Sequence, residues 1–190
     1  MKDPRVNVVA VCDVDRVLVN ATYKRAAELK AKAELTCADL TTLPLFADYR
    51  EMFAKVGDRI DAVTVSTPDH RHYPAAMMAI QRGKHVYVEK PMARHTTECD
   101  AMIAAAAAAK RPIFVAYYRC SLPRFRLVAQ LLADGVIGDV TGVTYRFAAP
   151  YHTQARQWRV DAATAGGGHF LDLGSHVLDL LDHLLGPLTD

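Results

Sequence analysis

The sequence predicts an α/β protein that begins as a parallel sheet with helices on both faces and ends as the start of an α+β domain. Apolar runs of strand length alternate with helical patterns from Val6 to about Ala116, which is typical of parallel sheets with helical crossovers. After Gly138 this rhythm changes, and one alternating run and one helix follow. We therefore expect one domain over residues 1–120 and the beginning of another over 121–190.

The predicted strands are short runs of apolar, mostly β-branched residues that end at turn signals. The last of them alternates apolar and polar residues and so differs in style from the others. Phe46 is expected to open a further short strand or a turn. In chain order the predicted strands are Val6–Cys12, Asp61–Ser66, His85–Val88, Pro112–Ala116 and Val140–Ala148.

The predicted helices combine helical spacing of alanine and leucine with start and stop signals. Asp48 is a candidate N-cap, Pro74 suits a first turn, and Gly83 suits a helix end. In chain order the predicted helices are Val17–Ala33, Asp48–Lys55, Tyr73–Arg82, Thr96–Lys110, Leu127–Asp134 and Leu171–Leu185.

The composition is that of an ordinary soluble globular protein, with 51% hydrophobic and 23% charged residues among 190. The net charge of +2, without a basic run carrying interleaved aromatics, gives no reason to expect a nucleic-acid partner. No apolar stretch is long enough to predict a membrane helix, and the first residues do not form a signal peptide. The four cysteines are scattered without a CxxC pair, which favours reduced thiols in a cytoplasmic protein.

Asp13 follows the first predicted strand, where a dinucleotide-binding fold places the acid that binds a ribose. Such folds carry a G-x-G-x-x-G turn about 20 residues earlier, and counting back from Asp13 places that turn before Met1. We therefore expect the chain to lack the first strand, glycine loop and first helix of such a fold. Because its second domain stops at Asp190, we expect both ends to be cut.

The stretch Gly83–Pro91 is predicted to deliver a charged pair to the sheet's ligand-binding edge. The strand His85–Val88 is followed at once by Glu89-Lys90-Pro91, and open α/β sheets bind ligands at the carboxyl ends of their strands. Lysine and glutamate are almost never fully buried unless paired. Pro91 restricts the backbone before it, so we expect the Lys90 ammonium at a defined place on the sheet's rim.

The segment Ser66–His72 follows another predicted strand and suits a tight turn at the same edge. Its small hydroxyl residues and its proline would let the backbone approach a flat cofactor. An ordinary strand-to-helix loop with an N-cap explains the same residues equally well.

Asp172 and His176 lie four residues apart on the last predicted helix and therefore share one face. A carboxylate beside an imidazole holds its tautomer and raises its pKa, which makes a proton donor or acceptor near neutral pH. Asp179 and His183 continue this face, so that the four residues form a polar stripe, and these two are expected to be solvated or interfacial. A metal site is the alternative for this stripe, although it offers no further ligand at a typical spacing and no H-E-x-x-H.

Two aromatic and cationic pairs are weaker candidates for ligand contacts. Tyr118 and Arg119 follow the predicted strand at Pro112, and Trp158 and Arg159 lie in a polar stretch. Each pair offers a stacking ring and an anion-binding guanidinium. Trp158 is equally well explained as a domain-interface anchor.

Several motifs occur together and in a fixed order. They are V-C-D-V-D, D-A-V-T-V-S-T-P-D-H-R-H, G-K-H-V-Y-V-E-K-P, G-x-I-G-D-V and G-G-G-x-x-x-D-L-G-S-H-x-x-D. In this respect the sequence resembles the Gfo/Idh/MocA family of glucose-fructose oxidoreductases and inositol dehydrogenases. The resemblance implies an N-terminal Rossmann domain that binds NAD or NADP and a C-terminal α/β domain with an open, mostly antiparallel sheet.

The resemblance also implies roles for individual residues. Lys90 would lie beside the nicotinamide and the reacting carbon, and His176 would take the hydroxyl proton as hydride leaves, assisted by Asp172. Asp13 would bind the adenosine ribose, which favours NAD over NADP. The other residues expected to line the cofactor are Ser66, Thr67, Pro68, His72 and Glu89. The segment 117–119 lacks the asparagine that many members carry there.

The function implied is an NAD(P)-dependent oxidoreductase that transfers hydride between nicotinamide and a CHOH or C=O group of a sugar, inositol or related polyol. The full-length protein is expected to form homo-oligomers, and this chain alone to bind NAD weakly or not at all. Two alternatives remain at this point. One is a non-catalytic remnant that serves as a binding module, and the other is a metal-dependent isomerase or hydrolase that uses the Asp172/His176 stripe.

Overall fold

The computed structural model describes residues 6–32, 40–148 and 170–188. The predicted ligand residues Trp158 and Arg159, and the glycines at 166–168, lie outside these ranges. Contacts divide the chain into two compact units, residues 1–61 and 62–190, and each is described by itself. The predicted domain boundary near residue 120 stays a prediction.

The first unit contains a short parallel strand pair and two helices. The main-chain N–H of Asp13 donates to the Phe46 carbonyl at 2.9 Å and extends the pairing by one bond. Asp15 and Asp48 cap the two helices through their carboxylates, as helix N-termini favour. The elements are β1 (Val11–Cys12), α1 (Arg16–Ala31), β2 (Leu45–Phe46) and α2 (Tyr49–Val56).

The second unit is built on a three-stranded parallel sheet in the order β3-β4-β5. The register aligns Val65 with Val88 and Val88 with Val115. The pairings described in both units are parallel, which confirms the predicted α/β class. The elements are β3 (Ala62–Val65), α3 (His72–Gln81), β4 (His85–Val88), α4 (Thr96–Ala109), β5 (Ile113–Val115), α5 (Pro123–Ala133) and α6 (Ser175–Leu185).

The core of the second unit lies where α3 packs against β3, β4 and α4. Val86, Val88, Ile80 and Met102 are each at most 2% exposed. Gly83 adopts a φ of +69° directly after α3, a conformation that glycine tolerates without steric cost and that reverses the chain into β4.

Ile80→Val is expected to lower the free energy of unfolding by about 1 kcal/mol, because it removes a buried methyl group from this core. The matched control is Ile103→Val on α4, where the side chain is 54% exposed and the change should be within about 0.5 kcal/mol. Urea unfolding of both variants measures the difference. Equal losses would contradict this description of the core.

Three predicted elements begin four or more residues away from the start that the structure gives them. The first strand is limited to Val11–Cys12 because its partner β2 spans only two residues. Helix α5 begins at Pro123 instead of Leu127, since proline is favoured at a first helical position. The last helix begins at Ser175 instead of Leu171, because a π-helical turn occupies Phe170–Gly174.

The predicted strand Val140–Ala148 is absent, and these residues have no regular secondary structure. Alternating sequence forms a strand only where a neighbour accepts its hydrogen bonds, and no strand pairs with this segment in the described part of the chain. Its apolar side chains, such as Phe147 at 58%, are accordingly exposed. Among the described residues, no helix is long and apolar enough to cross a membrane.

Candidate active site

The parallel register brings three loops to one edge of the second unit's sheet. Because Val65, Val88 and Val115 are aligned, the residues that follow them leave the sheet side by side. The N–H of Glu89 donates to the Val65 carbonyl, and the N–H of Ala116 donates to the Val88 carbonyl, each at 2.9 Å. These bonds hold the loops after all three strands in fixed positions.

The side chain of Lys90 is paired with Asp172, 82 residues away in the sequence. Its Nζ donates to the carboxylate Oδ1 and to the backbone carbonyl of Asp172. The Lys90 side chain is 12% exposed and that of Asp172 is 34% exposed. A largely buried ammonium requires such a partner, so this pair fixes the cation at the end of β4.

The π-helical turn Phe170–Gly174 carries Asp172 into this position. The Ser175 hydroxyl donates to the Leu171 carbonyl at 2.7 Å and joins the turn to the first residue of α6. A π turn leaves the ordinary α-helical bonding pattern, and such turns are frequent at functional sites. Here the carbonyl of Asp172 accepts from Lys90.

His176 lies one turn further along and contacts two tyrosine rings. It is 5% exposed, and its ring meets Tyr117 at 5.9 Å and Tyr118 at 5.2 Å between centroids, in edge-on arrangements. Its Nδ1 is buried and has no hydrogen-bond partner in the described part of the chain. A buried imidazole nitrogen without a partner is unusual and marks a position where a ligand atom would be accommodated.

Burial lowers the pKa of His176, and the positive charges of Lys90 and Arg119 lower it further. Asp172 and Asp179 act in the opposite direction but do not reverse the shift. His176 is therefore neutral at neutral pH and has a lone pair to accept a proton. Asp172 raises this pKa, as predicted for a nearby carboxylate, but burial and two cations outweigh it and the net shift is downward.

The loop after β3 contains three of the residues predicted to line a cofactor. Ser66 is exposed, and Thr67 and Pro68 are half-buried. The Thr67 hydroxyl is buried without a hydrogen-bond partner among the described residues. Glu89, on the neighbouring loop, is also half-buried, and its Oε2 accepts from the Lys90 N–H at 3.3 Å.

His72 was expected to line the cofactor, but its ring lies beneath the loops. It is 1% exposed, and its two ring nitrogens contact the backbone carbonyls of Thr67 and Pro91 at 2.8 and 2.7 Å. Both nitrogens are thus occupied by the protein itself, and the side chain has no free polar atom for a ligand.

Asp69 belongs to this cluster, although the sequence analysis gave it no role. Burial raises its pKa, while the charges of His72 and Lys90 lower it and that of Asp172 raises it. These mutual effects place it in the same electrostatic environment as the Lys90–Asp172 pair. Its position four residues beyond Val65, in the loop after β3, is a signal that could have identified it.

The remaining predicted residues divide between the two units. Tyr118 and Arg119 follow β5. The Tyr118 ring contacts the His176 ring, and the charge of Arg119 lowers the pKa of His176. Asp13 belongs to the first unit, where its Oδ1 accepts from the Asp15 N–H at 2.8 Å directly after β1. That bond holds the carboxylate at the carboxyl end of its strand.

The described residues include no group of three or more His, Cys, Asp and Glu side chains suited to a metal ion. One residue of the polar stripe on α6, Asp179, contacts the segment after β5, where the Cys120 thiol donates to its Oδ2 at 3.1 Å. Burial, together with Asp179, raises the pKa of the Cys120 thiol to about 11. This thiol is therefore protonated at neutral pH and is not an activated nucleophile.

Two family models match the chain. The model of an oxidoreductase family with an NAD-binding Rossmann fold matches residues 2–117. The model of a GFO/IDH/MocA C-terminal domain matches residues 125–190.

Individual relatives agree with these matches. An oxidoreductase of Formosa agariphila is 34% identical over 70% of this chain and 43% of its own length. A scyllo-inositol 2-dehydrogenase (NADP(+)) of Bacillus subtilis is 36% identical over 67% of this chain and 35% of its own. The WlbA dehydrogenase of Bordetella pertussis, solved with NADH and UDP-GlcNAcA, is 25% identical with a TM-score of 0.72, covering 96% of this chain and 49% of that one. The chain thus spans less than half the length of these relatives.

Proposed function

Because this chain belongs to the GFO/IDH/MocA oxidoreductase family, we propose that it forms part of an NAD(P)-dependent oxidoreductase acting on a sugar, inositol or related polyol. The reaction is hydride transfer between the nicotinamide and a CHOH or C=O carbon. The observation that carries the proposal is the partly buried Lys90–Asp172 pair with the neutral His176 one turn away.

The residues at the sheet edge fit a nicotinamide cofactor. Two buried polar atoms, the Thr67 hydroxyl and His176 Nδ1, have no hydrogen-bond partner among the described residues. Thr67 lies in the loop after β3, and His176 contacts the tyrosines that follow β5. Thr67, Pro68 and Glu89 would hold the cofactor there, and the assignment of Asp13 to a ribose hydroxyl stays a prediction. Bound NAD would supply the hydride acceptor for the substrate carbon.

The chain's own residues would manage the proton and the charge. As the alcohol is oxidised, its O–H proton passes to the lone pair of His176, which acts as the general base. The Lys90 ammonium stabilises the negative charge that develops on the same oxygen. Asp172 holds Lys90 in place through two acceptor atoms, so the cation is oriented before substrate binds.

The substrate class is supported by the relatives and by the chemistry of the site. One relative is named for scyllo-inositol and NADP(+), and one solved structure contains NADH and a sugar nucleotide. A neutral base and a cation in one electrostatic environment suit the oxidation of an alcohol. The carboxylate of Asp13 would repel a 2′-phosphate, which favours NAD over NADP. Homo-oligomer formation and a cytoplasmic location stay predictions.

The proposal is tested with protein produced from the entire gene and a panel of inositols, aldoses and anhydrosugars. Absorbance of the reduced nicotinamide is followed with NAD⁺ and with NADP⁺. Polyol-dependent reduction, faster with NAD⁺, is the expected result. Failure of the entire panel with both cofactors, using folded protein, would contradict the proposal and favour a non-catalytic binding module.

The pH dependence of alcohol oxidation should report the protonation of His176. Its neutral form is the active one and its pKa is lowered, by burial first. Activity is therefore expected to be level at neutral pH and to fall only below pH about 6.5, the usual histidine value. The measurement is kcat/KM between weakly acidic and weakly basic pH. An acidic limb centred above that usual value would show that His176 is not the neutral base described here.

A further inference from the structure

Among the described residues of the second unit, His72 is the most deeply buried polar side chain that the proposed mechanism does not use. It is the first residue of α3 and is 1% exposed. Its Nε2 contacts the Thr67 carbonyl at 2.8 Å, and its Nδ1 contacts the Pro91 carbonyl at 2.7 Å. The ring therefore connects the loop after β3 with the loop after β4.

Both contacts are hydrogen bonds only if both ring nitrogens donate. A backbone carbonyl accepts and never donates, and a neutral imidazole carries only one N–H. The form with a proton on each nitrogen satisfies both carbonyls at these distances. A lone pair facing a carbonyl oxygen in a buried place would be repelled and would leave that oxygen without a donor.

Charged side chains lie in the neighbourhood of His72. Asp69 lies three residues earlier, and the charge of His72 lowers the pKa of its carboxyl group, against the larger effect of burial. Lys90 lowers it as well and Asp172 raises it. The His72 ring and the Lys90 ammonium thus share one carboxylate neighbour, Asp69.

The contact between His72 Nδ1 and the Pro91 carbonyl lies next to Lys90, whose ammonium group is the cation of the site. Pro91 directly follows Lys90, so its carbonyl lies at the carboxyl side of the residue whose ammonium reaches Asp172. Thr67 directly precedes Pro68 in the neighbouring loop. A rigid ring with donors on two sides sets the distance between these loops, which a flexible side chain would set less well.

We propose that His72 is a positioning residue that holds the Lys90 loop against the loop after β3 by donating from both ring nitrogens. Its effect on hydride transfer rests on the function proposed above, but the two hydrogen bonds do not. His72 itself contacts no substrate or cofactor atom in this arrangement.

The first test uses the unaltered chain labelled with ¹⁵N and records the imidazole nitrogens by NMR at neutral pH. The expected result is a buried histidine with two slowly exchanging N–H signals and the nitrogen shifts of the doubly protonated ring. A spectrum in which His72 carries one proton, on either nitrogen, would overturn the proposal. This measurement needs no variant and is independent of folding effects.

The second test follows the Lys90 ammonium signal in the variants His72→Phe and His72→Gln. His72→Phe removes both donors and is expected to lose the signal, because Lys90 is no longer held on Asp172. His72→Gln retains an amide donor and is expected to keep a weakened signal. His95→Gln is the control, since His95 is exposed and its side chain does not cap α4. An unchanged signal in a folded His72→Phe or His72→Gln protein would overturn the proposal.

Activity separates this proposal from the proposed function. In protein from the entire gene, His72→Gln is expected to lower kcat by about 10- to 100-fold with little change in KM, as displacement of a positioned group does. If the NMR results are as expected and the unaltered protein transfers no hydride, the proposed function fails alone. If hydride transfer occurs and His72→Gln changes neither kcat nor the ammonium signal, the positioning role fails alone.

Discussion

Lys90→Met is expected to lower kcat for polyol oxidation by about 10²–10³-fold, the cost of removing one preorganised charge-stabilising donor. Methionine is close to lysine in length and is unbranched, so it fills the mostly buried space that the lysine side chain occupies, which is 12% exposed. What is lost is the positive charge facing the substrate oxygen. The measurement is steady-state kinetics in protein from the entire gene.

Lys84→Met is the matched control for this variant. Lys84 precedes β4 and Lys90 follows it, so the two lysines lie at opposite ends of one strand. Loss of the Lys84 charge should leave kcat within about twofold of the unaltered protein, because the ammonium is far from the reacting oxygen. Retention of more than about a tenth of the activity by Lys90→Met would contradict the role given to Lys90.

His176→Asn is expected to lower kcat by about 10²–10⁴-fold, the usual contribution of a positioned general base. Asparagine keeps a polar group of compact shape beside Tyr117 and Tyr118 but has no basic lone pair. The acidic limb of the pH profile, which reports the lowered pKa of His176, should disappear in the same variant. Kinetics across pH measure both effects.

His183→Asn provides the comparison on the same helix. His183 is exposed near the end of α6, so its replacement should change neither kcat nor the pH profile. A persistent acidic limb in His176→Asn would assign the limb to another group. Equal losses in the two variants would show that α6 tolerates no change, without a special role for His176.

Local signals in the sequence predicted much of the second unit. The strand His85–Val88 has the predicted bounds, because an apolar β-branched run is followed by a proline that restricts the chain. Asp48 caps α2 as predicted, since a carboxylate satisfies free N–H groups wherever the helix lies. The parallel pairing follows from alternating strands and helices and was confirmed.

Features that depend on distant contacts could not be predicted in the same way. Nothing local indicates that Lys90 reaches Asp172, 82 residues later, or that a π turn places the carboxylate there. The burial of His72 depends on two carbonyls from separate loops. The alternating run at Val140–Ala148 predicts a strand, but pairing requires a neighbour that the run itself does not supply.

Deuterium transfer from a carbon-deuterated polyol to oxidised nicotinamide, measured by mass spectrometry with protein from the entire gene, tests the proposed hydride transfer most directly. The expected product is a reduced cofactor that carries one deuterium and forms about 10²–10³-fold more slowly with Lys90→Met. Absence of deuterium in the cofactor for every polyol in the panel, or equal transfer by the unaltered protein and Lys90→Met, would contradict this expectation.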